Sequence, residues 1–133
     1  AMIGALEKNI DQTSARLDDV IAVANLDVEF HALIGQASGN RVLQLAREPS
    51  DLLVFPTTRL VLSKVKEGPA RLLEAHRWML DAIVRRDKDA GRTWARRHLN
   101  DWRKGFERAG NDLDQPIDRI YLRSLVKEDS PAD

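Results

Sequence analysis

No cysteine occurs in the 133 residues. That excludes disulfides, thiolate metal sites and a cysteine nucleophile, so any metal ligand here must offer nitrogen or oxygen. Net charge is also missing: Lys plus Arg and Asp plus Glu both total 21, and the chain as a whole gives no electrostatic case for nucleic acid or a membrane surface. Local patches are not excluded by that balance. No apolar run approaches the roughly 18 to 20 residues of a membrane span, and no signal peptide is visible. A soluble, cytoplasmic protein is therefore expected, with no membrane partner. Aromatic residues are scarce at 5%, while apolar residues reach 43% and charged ones 32%, a Leu/Ala/Arg/Asp-rich mixture typical of helical proteins.

The length suits one domain with a real core. Ala1 before Met2 resembles the remnant of a cleaved tag and is left out of the reading. Ser38-Gly39-Asn40, Glu67-Gly68-Pro69, Asp87-Lys88-Asp89 and Gly110-Asn111-Asp112 punctuate the chain. Between them the apolar period is helical, and no segment alternates long enough for a strand. Helices are expected near 3 to 15, 17 to 38, 41 to 66, 69 to 86, 88 to 109 and 115 to 127. Pro49 and Pro56 predict a break and a kink in the third. Short connections favour antiparallel neighbours. The expectation is all-α: an antiparallel bundle of about six helices forming one domain over residues 2 to 127, with a disordered polar tail at 128 to 133.

The chain has three histidines, each on or beside the apolar face of a different helix. His31 follows Asp27 by one turn at the margin of the Leu26, Phe30, Leu33 and Ile34 stripe. His76 sits among Leu72, Leu73, Met79, Leu80 and Ile83, and His98 lies between Trp94 and Trp102. His76 and His98 are both eleven residues from Asp87, so an antiparallel hairpin puts both about 16 Å from its turn at a rise of ~1.5 Å per residue. Reflection about Glu67-Gly68 likewise brings Arg59 level with His76. Two readings stay open: three unrelated core histidines, each hydrogen-bonded, or one Asp/His/His/His metal site of Asp27, His31, His76 and His98. Asp101 is a candidate acceptor behind His98. Imidazole and carboxylate suit zinc, nickel, manganese, iron or cobalt, with zinc or nickel favoured. Four protein ligands close a tetrahedral ion and leave two positions on an octahedral one.

The strings "DVEFHALIGQASGN" and "EAHRWMLDAIVRRDKDAGRTWARRHL" resemble the metal-binding form of the FCD domain, the effector-sensing domain of FadR-subfamily GntR transcription regulators. A D-x3-H pattern leading to Ser-Gly-Asn, an E-x-H helix, a D-x-x-x-A step and a final His-Leu follow in the family's order over roughly residues 17 to 109. The resemblance implies a helical bundle holding a divalent metal through Asp27, His31, His76 and His98. It also implies a small carboxylate effector read by the metal and nearby side chains, in a homodimer. Arg59 is the expected carboxylate partner, and Trp94 and Trp102 are expected to line the pocket. Nothing before Asp27 is long enough for the winged helix-turn-helix such regulators carry, so DNA would be reached only through a domain absent from this chain. A helical-bundle metalloenzyme and a purely structural dimerisation bundle are the competing readings. No convincing acid/base pair accompanies the histidines, so an enzyme is not expected.

Overall fold

The computed structural model describes residues 2 to 116. Five helices follow one another: α1 (Met2–Ser14), α2 (Val20–Ala37), α3 (Arg41–Lys64), α4 (Gly68–Val84) and α5 (Lys88–Arg108), with no strand among the described residues. The all-α expectation holds, and the expected boundaries are met to within a few residues. The helix expected at 115 to 127 and the tail at 128 to 133 fall, from residue 117 on, outside the described residues.

Local chemistry explains where the helices start and stop. The Asp19 carboxylate accepts from the Ala22 N–H, Asn40 Oδ1 from Val42 and Leu43, and Asp87 from Ala90, so three of the five N-termini have side-chain caps. Helix α4 has no such bond and instead carries Pro69 in its first turn, where the missing N–H has no intrahelical partner to lose. Gly39, at φ 65°, turns the chain between α2 and α3, a left-handed conformation in which most other side chains are strained.

Neither proline breaks α3. The helix runs unbroken through Pro49 and Pro56, which corrects the expected interruption. Each proline forfeits one backbone hydrogen bond, but α3 is capped by Asn40 and packed along both α2 and α5. Those contacts sustain it across the two gaps.

The packing order is circular: α1 lies on α2, α2 on α3, α3 on α5, α5 on α4, and α4 back on α1. Apolar side chains from every helix turn into this ring. Leu6, Ile10, Phe30, Leu73, Met79 and Leu80 fill one end, Val23, Ala24, Leu62 and Leu72 form a second group, and Val61, Val65 and Phe106 a third. The α3–α5 contact is close: a Cβ at Gly105 would stand 2.7 Å from Val61 Cγ1. Helix α2 is apolar enough, by length and composition, to pass as a membrane span, which revises the expectation that no segment comes near one. Its buried residues Val23, Ala24, Leu26, Asp27 and Phe30 pack into the ring as those of a core helix.

Candidate metal centre

Four polar side chains converge inside the ring. Asp27 and His31 come from α2, His76 from α4 and His98 from α5. One turn of helix separates Asp27 from His31, so both lie on the same face of α2. The α4–α5 hairpin brings His76 and His98 to matched heights as the count from Asp87 predicts, with ring centroids 5.0 Å apart.

The Asp27 Oδ1 atom is the hub. It lies 3.2 Å from Nε2 of His76, 3.5 Å from Nε2 of His31 and 3.8 Å from Nε2 of His98. His31 and His98 bring their Nε2 atoms to 3.2 Å of each other, and all four ligand atoms fall within 4.8 Å of one another. Ligands about 2.0 to 2.2 Å from a common ion stand about 3.3 to 3.6 Å apart in a tetrahedron and about 2.8 to 3.1 Å apart when adjacent in an octahedron. The observed separations suit groups placed to share an ion.

Burial supports the same arrangement. Asp27 and His76 are buried, yet Asp27 Oδ1 and both ring nitrogens of His76 make no hydrogen bond. Orphaned polar atoms in the interior are costly, and a bound ion would satisfy Oδ1 and Nε2 together. Protonation is also appropriate. Burial is the largest influence on the Asp27 carboxyl and pushes it up, but the close approach and charge of His31 and His76 outweigh it and hold the group well below the usual carboxylate range. Burial pushes His76 down, partly offset by Asp27, and burial with neighbouring His76 pushes His98 down to about 4. An ionised carboxylate and neutral imidazoles are what a metal requires at neutral pH.

Two neighbours hold this set in place. The Phe30 ring stacks on His76 at 3.8 Å between centroids and 8° between planes. The Thr58 hydroxyl donates to Asp27 Oδ2 at 3.3 Å, leaving Oδ1 turned toward the histidines. Replacing Thr58 with valine keeps the shape and removes that donor. About a tenfold loss of divalent-metal affinity is expected, the low end of what residues behind metal ligands contribute. A competition titration against a chromophoric chelator measures it, and unchanged affinity would show that Thr58 does not orient Asp27.

A cavity of about 220 Å³ reaches this cluster, and Asp27 and His98 form part of its wall. Trp102 lines it, with its indole N–H buried and unpartnered. Other sequence expectations land elsewhere. Arg59 is half-buried on α3 but is not among the lining residues. Reflection about a turn fixes height along an axis, not direction around it, and Thr58, one residue earlier, faces Asp27 instead. Trp94 stacks on Trp78 at 5.2 Å under the Arg97 guanidinium and lines an adjoining depression that shares Arg71, His98, Asp101 and Lys104 with the cavity. The Asp101 carboxylate accepts from Arg71 at 2.7 Å, where sequence reasoning set it behind His98. Thr58 and Arg71 were missed because each acts across more than two dozen residues of chain and neither shows a local motif.

A family model, the FCD domain, matches residues 1 to 101. The chain belongs to the FCD domain family. It is a regulatory, ligand-sensing domain rather than a member of a catalytic family, and its Asp27, His31, His76 and His98 are positioned to hold a metal ion. No curated protein and no solved structure matches the chain closely enough to add to this.

Proposed function

We propose that this domain senses a small organic acid through a bound divalent ion, as the effector domain of a GntR/FadR-type transcription regulator. The observation that carries the reading is the convergence of four ligand atoms, two of them buried without hydrogen bonds, beside a cavity walled in part by Asp27 and His98. Asp27, His31, His76 and His98 would hold the ion, zinc or nickel before manganese, iron or cobalt. When bound, an ion that accepts more than four ligands would supply Lewis acidity toward a carboxylate oxygen. The chain's own residues do the rest. Thr58 orients Asp27, Phe30 fixes the plane of His76, and Trp102 forms part of the cavity wall. In a homodimer, filling the cavity would shift the arrangement of the two copies and change how attached DNA-binding domains are spaced.

Elemental analysis of untagged protein, followed by thermal shift with a panel of small carboxylates in metal-loaded and chelator-treated samples, tests the proposal. About one divalent ion per chain is expected, with stabilisation by an acid that disappears when the ion is removed. Protein that takes up no divalent ion on reconstitution would overturn it. Turnover of an added acid would favour an enzyme instead.

A further inference from the structure

The mouth of the cavity carries more positive than negative charge. Arg71 from α4 and Lys104 and Arg108 from α5 line it, together with Asp101. Arg108 is tied to Glu67 at 2.8 Å and Arg71 to Asp101 at 2.7 Å. Lys104 forms no ion pair among the described residues. One cation is thus in excess, directly beside an arginine whose partner is exposed to solvent. Exposed pairs of this kind contribute little to stability and are readily exchanged.

Spacing along α5 relates this charge to the metal cluster. Asp101 and Lys104 follow His98 by three and six residues, hence by about 4.5 and about 9 Å along the helix axis. A negatively charged ligand group at the cluster and a second at Arg71 and Lys104 would lie within the reach of a short acid. The cavity, about 220 Å³ in volume, has room for a small molecule. Trp102 forms part of the same wall.

We infer that the cavity takes a short acid with two negatively charged groups. One is directed at the metal cluster, and Arg71 and Lys104 take the other in exchange for Asp101. The inference rests on the sensing role proposed above and names the ligand class of that site. It assigns Asp101 the part of a competitor: its carboxylate holds Arg71 in the empty cavity and gives it up to the ligand. Because Arg71 lies on α4 and Asp101 on α5, the exchange also releases an ion pair between two helices that supply histidines to the site.

Calorimetric titration of the full chain loaded with one equivalent of nickel tests this, with succinate and butyrate as probes of equal carbon length. Succinate is expected to bind at least about tenfold more tightly than butyrate, since the second group gains charge-assisted hydrogen bonds. Arg71→Ala and Lys104→Ala should each remove most of that difference while nickel content stays unchanged. Asp101→Asn should tighten succinate several-fold and leave butyrate as it was, a gain that a merely structural role for Asp101 would not produce. Equal affinity for the two acids, a preference that survives both cation variants, or an Asp101→Asn protein no tighter than wild type would overturn the inference while nickel binding stood. Nickel-loaded protein that binds neither acid would overturn it together with the acid-sensing role. Protein that takes no nickel would overturn the metal centre and, with it, this inference.

Discussion

His76→Ala should reduce bound divalent metal from about one ion per chain to background, with affinity falling by more than the 10- to 100-fold range typical of residues that only support ligands. His76 is fully buried, and its Nε2 makes the closest approach of any imidazole to Asp27 Oδ1, at 3.2 Å. Alanine would leave three ligand groups, of which His31 is a third exposed and the least restrained. The site would also be opened on its most protected side. Two measurements separate loss of the ligand from loss of the fold: elemental analysis of the purified variant, and circular dichroism with thermal melting in the presence of chelator. The variant should remain helical and melt at the same temperature with and without chelator, whereas wild type should lose stability when its ion is withdrawn. A variant that retains a full equivalent of metal would remove His76 from the ligand set.

Phe30→Ala is expected to destabilise the metal-free domain by about 3 to 5 kcal/mol, the range for deleting a buried aromatic ring. A domain of this size has only about 5 to 15 kcal/mol to lose. Phe30 has no exposed surface and joins the cluster of Leu6, Ile10, Leu73, Met79 and Leu80, which links α1, α2 and α4. Its ring also lies flat on His76, so the truncation should weaken metal binding as a second, smaller effect. Urea denaturation in chelator gives the stability term free of metal linkage. Phe30→Leu, which refills much of the volume, should recover a large part of it. A loss below about 1 kcal/mol would mean that neighbouring side chains close the hole and that the packing around His76 is less dependent on this ring than its burial implies.

Helix existence and type were legible because periodicity and caps act locally. Asp19, Asn40 and Asp87 each stand next to the first turn they cap, and the Ser38-Gly39-Asn40 run ends one helix and begins the next. The four residues positioned to hold a metal were legible in part. Asp27 and His31 are one turn apart, and His76 and His98 are equidistant from a short turn, so counting gives two pairs, and the resemblance to the FCD domain joined them in one site. The prolines of α3 misled because local rules weigh the lost hydrogen bond and not the packing on α2 and α5 that sustains the helix. For Arg59, counting from a turn sets height but not face. The Arg71–Asp101 pair had no signal at all: it joins two exposed positions thirty residues apart whose meeting depends on how α4 and α5 are rotated. Sequence patterning thus gave the elements and the inward-facing histidines, while the cavity wall depended on helix azimuth.

The circular packing order has a mechanical consequence. Helices α2 and α5 are not neighbours in the ring, since α3 stands between them on one side and α1 with α4 on the other. They meet only through side chains that reach inward, with His31 and His98 touching across 67 residues of sequence. An ion held by both would act as a spoke across the ring rather than another stave in its wall, closing a long loop in a chain that has no cysteine to do so. Its presence or withdrawal would set the diameter of the bundle at that level. A molecule that pulled on such an ion from the cavity would thereby pull on two helices whose backbones do not touch.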